Sequence, residues 1–239
     1  MHDALERERP EVLFNCAAYN AVDRAEQDQE AALAINARGP AVLADECRRA
    51  GVRLVHFSTN FVFDGAAGKP YRETDEPHPQ GAYARSKREG ELATLPDGLV
   101  IRTAGVYGGQ RGFPARILEQ ARSGRPLRVV ADQRLNPTFA ADLAAGVLRL
   151  AEAGETGLVH LVAEGCCSWR QLAQETLRLA RLDFEVEPIT TAELAAPAPR
   201  PLNGCLESDR VAPLRHWREA LADYWLAIQT RSAVDTQPM

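Results

Sequence analysis

Short apolar runs alternate with longer amphipathic stretches along the first half of the chain. The runs Val12–Cys16, Val52–Phe57 and Leu99–Thr103 have the length and composition of buried strands. The stretch 28–50, and a second one that ends near Leu95, have the spacing of helices. Strands that are apolar throughout and alternate with helices are typical of a parallel sheet covered on both faces. We therefore predict an α/β fold that contains part of a Rossmann-like, doubly wound parallel sheet.

The second half of the chain has shorter elements and a less regular pattern. Its apolar spacing predicts two strands, at 127–130 and 158–162. It also predicts four helices, at 114–123, 139–153, 168–182 and 215–228. We predict a first domain over 1–109 and a smaller α/β lobe, interleaved with elements of the first domain, over 110–229. The polar residues 230–239 are predicted to form a disordered tail.

Composition and charge exclude several classes of protein. The chain has 239 residues, 45% of them hydrophobic, and a net charge of -5 with 28 basic residues. Binding to phosphate backbones requires clustered excess positive charge, so we predict no nucleic-acid partner. No apolar run approaches the roughly 20 residues of a bilayer span, and the first residues lack an apolar signal core, so we predict a cytoplasmic protein with no membrane partner. The five cysteines and five histidines lack metal-binding spacings, which favours buried reduced thiols and no metal site.

Tyr83 and Lys87 are the first candidates for chemistry. They are spaced one helical turn apart, so both side chains can face a common ligand. A phenol has an ordinary pKa near about 10, and a neighbouring ammonium group lowers it. Lysine occurs only at positions 69 and 87, so a Tyr-x-x-x-Lys match arises by chance with a probability of about one in 25. Proton donation by Tyr83 beside Lys87 is one interpretation, and an ordinary surface helix is the other.

Small polar residues follow the predicted strands. Asn15, Ser58, Thr59 and Thr103 lie at or next to strand ends, and ligands of doubly wound sheets bind beyond the carboxyl ends of the strands. Such residues are also common as turn formers. Their positions are those that a binding crevice requires.

Nine segments, in order along the chain, together carry a resemblance to a known family. They are Asn15–Glu26, Ser58–Gly65, Tyr71–Asp75, Tyr83–Lys87, Arg102–Thr103, Val106–Gly108, Asp132–Gln133, Asn136–Thr138 and Arg200–Asn203. They closely resemble the dTDP-4-dehydrorhamnose reductases, which are extended short-chain dehydrogenase/reductases. The resemblance extends from Pro10 to about Ile228.

The resemblance implies NADPH-dependent reduction of dTDP-4-dehydro-L-rhamnose to dTDP-L-rhamnose, with NADH as the alternative cofactor. Its catalytic residues would be Thr59, which hydrogen-bonds the substrate carbonyl oxygen, Tyr83, which protonates the developing alkoxide, and Lys87, which holds the nicotinamide ribose. Ser58 is the alternative to Thr59 in the first role. The family also implies a substrate-binding function for the C-terminal lobe and is compatible with a homodimer.

The same resemblance implies two sets of binding residues. The cofactor would contact Ala17, Ala18, Tyr19, Ser58, Tyr83 and Lys87. The dTDP-sugar would contact Val22, Thr59, Asn60, Arg200 and Asn203. An arginine such as Arg200 forms charge-assisted hydrogen bonds with a diphosphate, although arginines in proline-rich loops are often solvated.

The chain departs from the family pattern at its start and at the site. Members of the family begin with a strand and a glycine-rich turn that binds the cofactor diphosphate, and the alignment implies that roughly the first 50 residues are absent. Asn60 and Phe61 replace the usual Asp-Tyr, and Gly105 replaces a frequent aromatic residue. Two alternatives therefore accompany the reductase interpretation. One is a non-catalytic regulatory subunit resembling the beta subunit of methionine adenosyltransferase, and the other is an inactive truncated paralogue.

Overall fold

The computed structural model describes residues 2–95, 97–110 and 112–234. The elements of the first half include a π-helical segment and a 3-10 turn. In chain order they are α1 (His2–Glu8), β1 (Val12–Asn15), α2 (Val22–Ala25), α3 (Gln29–Leu33), the π-helical segment Ala34–Arg38, α4 (Gly39–Ala50), β2 (Arg53–Thr59), the 3-10 turn Asn60–Val62, α5 (Ala82–Thr94) and β3 (Leu99–Thr103).

The second half contains more strands than the sequence pattern predicts, and several of them are only two residues long. In chain order its elements are α6 (Phe113–Arg122), β4 (Leu127–Val130), β5 (Arg134–Leu135), α7 (Ala140–Glu152), β6 (Gly157–His160), β7 (Ala163–Glu164), β8 (Cys167–Ser168), α8 (Trp169–Leu179), β9 (Val186–Ile189), α9 (Thr191–Leu194), β10 (Asn203–Gly204), β11 (Leu214–His216) and α10 (Trp217–Val234). Strands of two residues are too short to show a period in the sequence.

The main sheet has the strand order β1-β2-β3-β6, and all three pairings are parallel. Successive residues of a strand point to opposite faces. Leu54 therefore packs with Cys47 of α4 on one face, whereas Val55 packs with Leu143 and Val147 of α7 on the other. Helices thus cover both faces, and the predicted doubly wound parallel architecture is confirmed.

A separate core forms around α6, α8 and the parallel pair of β4 and β9. It is built from apolar residues of all four elements, including Ile117, Leu127, Leu177 and Val186. The predicted C-terminal lobe corresponds to this core, while β6 joins the main sheet beside β3. The exact domain boundaries at 109 and 229 stay a prediction.

The predicted helix over 28–50 is broken into α3, a π-helical segment and α4. Pro40 explains the interruption, because it has no amide hydrogen to donate to the carbonyl of Asn36. At the other end of the chain, α10 continues through 230–234, which the sequence pattern assigns to a tail. The rest of that predicted tail, 235–239, lies outside the described residues.

The expectation of five buried reduced cysteines is wrong for three of them. Cys166 and Cys205 form a disulfide with a Cα–Cα distance of 6.1 Å, and Cys16 is exposed. The two bonded residues are 39 positions apart in sequence, so only the tertiary structure brings them together. Cys47 and Cys167 are buried free thiols, as expected. None of the helices in the described ranges is long and apolar enough to cross a membrane.

We expect Gly90→Ala to destabilise the protein although alanine is the better helix former. Gly90 lies in α5, and an added Cβ would overlap the backbone carbonyl oxygen of Asn36. Overpacking of this kind costs roughly 1–3 kcal/mol, more than the gain of about 1 kcal/mol in helix propensity. Chemical denaturation would measure the loss. Gly39→Ala is the control, since its Cβ would meet the Ala34 carbonyl oxygen at an ordinary 3.5 Å. Equal stabilities of the two variants would contradict this packing account.

Candidate active site

Thr59, Tyr83 and Lys87 line one cavity of about 1000 Å3. Thr59 is the last residue of β2, while Tyr83 and Lys87 lie one turn apart on α5, which packs against that strand. The structure therefore brings together the three residues that the sequence selects as catalytic candidates. Their position at the carboxyl end of a parallel strand is the expected one for a ligand site.

Tyr83 is a buried phenol at the wall of the cavity. Its side chain is covered by the ring of Phe61, which approaches edge-on with ring centroids 5.7 Å apart. Burial raises the pKa of Tyr83, and hydrogen bonding with Thr59 acts in the opposite direction. The expectation that Lys87 lowers the pKa of this phenol below its ordinary value is therefore wrong for the protein without ligands. At neutral pH Tyr83 is a neutral hydroxyl that can donate its proton.

Lys87 makes its direct contacts with β2 and not with Tyr83. Its Nζ donates a hydrogen bond to the carbonyl oxygen of Phe57 and lies 3.4 Å from Nε2 of His56. Burial lowers the pKa of Lys87 to about 8, while the charge of Glu91 acts to raise it. Burial, together with the Lys87 charge, lowers the pKa of His56 to about 3. His56 is therefore neutral, and Lys87 is an ammonium group that titrates close to neutral pH.

Ser58 and Thr59 are distinguished by their partners. The Ser58 hydroxyl donates to Oε1 of Glu91 at 2.6 Å, so its proton is already engaged beneath the cavity. Thr59 Oγ1 accepts from the backbone N–H of Phe61 at 3.2 Å, donates only a long hydrogen bond of 3.4 Å to Oδ1 of Asn60, and lies beside Tyr83. The sequence leaves either hydroxyl available for the carbonyl oxygen of a substrate. The geometry favours Thr59.

Glu91 is the important residue that sequence reasoning missed. Its carboxylate is fully buried and accepts two hydrogen bonds of 2.7 Å from Arg102, and one of 2.8 Å from Arg88, besides the one from Ser58. Although burial acts to raise the pKa of Glu91, these hydrogen bonds hold it below its ordinary value. Its position four residues after Lys87, on the same face of α5, is a signal that could have identified it.

The predicted cofactor residues before α2 lie on a loop whose backbone is held by two asparagines. The Ala17 N–H donates to Oδ1 of Asn15 at 3.2 Å, and the Tyr19 N–H donates to Oδ1 of Asn36 at 2.8 Å. Ala18 lines the cavity. Ala17 and Tyr19 belong to the same loop but are not among the residues that line the cavity.

Four of the five predicted substrate residues line the cavity, and the fifth does not. Val22, Thr59, Asn60 and Arg200 contribute to the wall. Asn60 also donates to the carbonyl oxygen of Gly204 at 2.9 Å.

Arg200 and Asn203 are both engaged within the protein. Nη2 of Arg200 donates to Oδ2 of Asp23 at 2.8 Å, and Nη1 donates to the Ala198 carbonyl oxygen. The amide nitrogen of Asn203 donates to the carbonyl oxygens of Ala67 and Lys69. The structure thus places Asn203 outside the cavity, as a residue that holds the loop around Lys69 against β10.

Comparison with known proteins identifies the family of the chain. The family described as the RmlD substrate binding domain matches residues 1–230. The dTDP-4-dehydrorhamnose reductase of Mycobacterium tuberculosis is 43% identical over 241 residues, covering 94% of this chain and 79% of that protein. The chain belongs to the dTDP-4-dehydrorhamnose reductase family. A Streptomyces antibioticus relative, a probable dTDP-4,6-dihydroxy-2-methyloxan-3-one 4-ketoreductase, is also 43% identical, covering 92% of this chain and 79% of the relative.

Solved structures of this family share the fold. The crystal structure of a dTDP-4-dehydrorhamnose reductase from Clostridium acetobutylicum matches with a TM-score of 0.91 at 36% identity, covering 95% of this chain and 84% of that one. The dTDP-4-dehydrorhamnose reductase from Bacillus anthracis, solved in complex with NADP, matches with the same TM-score and coverage at 29% identity. The family resemblance and the Rossmann-like fold predicted from the sequence are confirmed.

The wall of the cavity is positively charged, whereas the chain as a whole has a negative net charge. The described residues that line the cavity include five with cationic side chains, namely Lys87, Arg116, Arg128, Arg134 and Arg200, and none with a carboxylate. The chain as a whole has a net charge of -5. A positively charged cavity of this size fits phosphorylated ligands. A dinucleotide cofactor and a nucleotide-sugar are both ligands of this kind.

We expect Glu91→Gln to destabilise the protein strongly. The substitution leaves the guanidinium of Arg102, which is 1% exposed, without a countercharge in the interior. Removing one partner of a buried ion pair costs roughly 3–5 kcal/mol. Chemical denaturation at neutral pH would measure the loss in the free energy of unfolding. The control is Glu119→Gln, which breaks the exposed pair of Glu119 with Arg125 and should change stability little. Similar losses in both variants would show that burial does not decide the effect.

Proposed function

We propose that this chain catalyses the NADPH-dependent reduction of dTDP-4-dehydro-L-rhamnose to dTDP-L-rhamnose. The observation that carries the proposal is the arrangement of Thr59, Tyr83 and Lys87 on one wall of a cationic cavity. A neutral, buried phenol and a neighbouring hydroxyl are the groups that reduction of a ketone requires from the protein. The ammonium of Lys87, one turn along the helix, supplies the positive charge.

Each residue has a separate role in the proposed reaction. The hydroxyl of Thr59 hydrogen-bonds the carbonyl oxygen of the sugar and directs it towards Tyr83. Tyr83 transfers its proton to that oxygen as the carbonyl carbon is reduced, and the resulting phenolate later regains a proton from solvent. Lys87 holds the nicotinamide ribose, and its charge stabilises the phenolate. The bound cofactor supplies the hydride.

The names of relatives support the choice of substrate and cofactor. The proteins from Mycobacterium tuberculosis and Streptomyces griseus, 43% and 40% identical to this chain, are both named dTDP-4-dehydrorhamnose reductase. The Bacillus anthracis neighbour was solved with NADP. The Streptomyces niveus relative, 36% identical, is named dTDP-4-keto-6-deoxy-D-glucose reductase, so that ketosugar is the competing substrate to test. The predicted cytoplasmic location and homodimer stay predictions.

We expect Tyr83→Phe to abolish most of the turnover while the protein stays folded. Loss of a general acid lowers kcat by roughly 100- to 10000-fold, and loss of the carbonyl donor in Thr59→Val lowers it by roughly 100-fold. The readout is oxidation of NADPH in the presence of the dTDP-4-ketosugar. Ser58→Ala is the matched control, because the hydroxyl of Ser58 is bound to Glu91, and its kcat should stay close to that of the parent protein.

Different outcomes of this experiment separate the alternatives. A larger loss of kcat in Ser58→Ala than in Thr59→Val would show that Ser58, and not Thr59, hydrogen-bonds the carbonyl oxygen. NADPH oxidation that is undetectable in the parent protein, with or without ketosugar, would contradict the reductase proposal. It would instead support a regulatory subunit or an inactive paralogue.

We also expect turnover to decrease as the pH rises above about 8. The pKa of Lys87 is lowered to about 8, so above that pH the side chain becomes neutral and no longer stabilises the phenolate of Tyr83. A profile of kcat/KM between about pH 6 and 10, which reports the ionisations of the free enzyme, would show the decrease. In Lys87→Arg the guanidinium stays charged, so whatever activity remains should not decrease in that range. An unchanged alkaline decrease in the arginine variant would assign it to another group.

A further inference from the structure

The four arginines that line the cavity differ in whether they already have a partner. Nε of Arg128 lies 3.3 Å from Oε1 of Glu187, and Arg200 is bound to Asp23. By contrast, the side chains of Arg116 and Arg134 form no hydrogen bond or ion pair with any residue in the described ranges, and both are exposed. Two guanidinium groups in one cavity are therefore free to bind an anion.

A continuous wall connects the catalytic residues to these two arginines. Thr59 is paired in register with Thr103 of β3, and the chain then turns through Gly105. Gly105 has a φ of +53° and packs so closely against Leu135 that a Cβ would overlap its side chain. Leu135 is the neighbour of Arg134 in β5. Since all five residues line the cavity, a ligand bound at Thr59 can extend along this wall towards Arg134.

Arg116 reaches the cavity from α6, which is connected to β5 through Trp169: the ring of Phe113 packs on Trp169 with centroids 4.7 Å apart, and Nε1 of Trp169 donates to Gln133, the residue before Arg134. Phe113, Ile117 and Gln120 also line the cavity from α6. Arg116 belongs to α6 and Arg134 to β5. Both elements follow α5, the helix that carries Tyr83 and Lys87, in the sequence.

The chemistry of the proposed substrate requires an anion site at a distance from Tyr83. In a pyranose the carbonyl carbon C4 and the anomeric carbon C1 lie across the ring from each other. A sugar whose C4 oxygen contacts Thr59 and Tyr83 must therefore direct its C1 diphosphate away from them. The planar donor fork of arginine matches phosphate oxygens and forms charge-assisted hydrogen bonds with them.

We propose that Arg116 and Arg134 bind the diphosphate of the nucleotide-sugar, an assignment that rests on the proposed function. Arg200, the arginine that the sequence suggests for this role, already neutralises Asp23. Binding of a diphosphate to Arg200 would have to replace that ion pair. Binding to Arg116 and Arg134 replaces no ion pair or side-chain hydrogen bond among the described residues, so its main costs are the ordering and desolvation of the two side chains.

Calorimetric titration of dTDP and thymidine tests the assignment. We expect Arg116→Gln and Arg134→Gln each to weaken dTDP binding by roughly tenfold or more, the usual effect of losing a hydrogen bond to a charged group. Binding of thymidine, which lacks the diphosphate, should not change. Arg128→Gln is the matched control, because it removes a charge from the same cavity but from an arginine already paired with Glu187. It should weaken dTDP binding less than either of the other two substitutions.

Binding of NADPH distinguishes the diphosphate of the substrate from that of the cofactor. We expect both variants to bind NADPH like the parent protein. In turnover, each should raise KM for the dTDP-sugar with little change in kcat, since the diphosphate contact is the same in the ground state and the transition state. Arg134→Lys should restore part of the dTDP affinity by keeping the charge.

Several results would overturn the assignment. These are unchanged dTDP affinity in both variants, no dTDP binding by the parent protein, an equal loss of thymidine binding, an equal loss in Arg128→Gln, or a loss confined to NADPH. The test does not depend on catalysis. A parent protein that binds dTDP through Arg116 and Arg134 but does not oxidise NADPH would contradict the proposed reduction and leave the diphosphate site established.

Discussion

The buried ion pair between Glu91 and Arg102 joins α5 to β3, and the hydroxyl of Ser58 joins β2 to the same carboxylate. Removing charges from water costs several kcal/mol for each ion, so such a pair is tolerated only where its hydrogen bonds are complete. Here both oxygens of Glu91 are satisfied. These hydrogen bonds therefore connect α5, β2 and β3 at a single buried carboxylate. Because Tyr83 and Lys87 share the helix face of Glu91, that arrangement also places them against Thr59.

The same burial that makes this pair costly tunes the chemistry of the site. Loss of hydration disfavours every charged form, so it raises the pKa of Tyr83 and lowers that of Lys87. The pKa values of the two groups lie close together in water, and burial moves them apart, so that Lys87 loses its proton more readily than Tyr83. A phenol that is reluctant to ionise is suited to giving up its proton only when a strongly basic alkoxide develops next to it. Glu91 limits the effect on Lys87 by stabilising its charge.

The net charge of the chain conceals the character of its cavity. A net charge of -5 argues against a nucleic-acid surface, yet the described residues of the cavity wall provide only cations. Phosphate recognition in an enclosed site depends on local charge, because a low-dielectric wall concentrates the field there. Two of the arginines are also coupled to acids just outside the wall, Glu187 and Asp23. Local pairing thus decides which cations are available to a ligand.

Much of the fold follows from periodicity that any reader of the chain can see. The strands at 99–103 and 127–130 have the predicted bounds, because each is a short apolar run closed by turn residues. The broken helix at 34–38, by contrast, depends on how Pro40 and the Asn36 carbonyl meet α5. The two-residue strands and the Cys166–Cys205 disulfide likewise result from contacts between distant segments. Periodicity describes only neighbours along the chain.

The same distinction applies to the candidate site: some of its features follow from the sequence, and others only from the tertiary structure. The nine ordered segments were sufficient to identify the reductase family, and the resemblance indicated Thr59, Tyr83 and Lys87 as its catalytic candidates. The four-residue spacing of Tyr83 and Lys87 is consistent with this, because it places both side chains on one face of a helix. Only the tertiary structure showed that Ser58 is bound to Glu91, revealed that carboxylate beneath the cavity, and showed Arg200 paired with Asp23 while Arg116 and Arg134 have no side-chain partner among the described residues. Those distinctions depend on which groups meet across the fold, since a hydroxyl or a guanidinium group held by a carboxylate must give up that partner before it can bind a ligand.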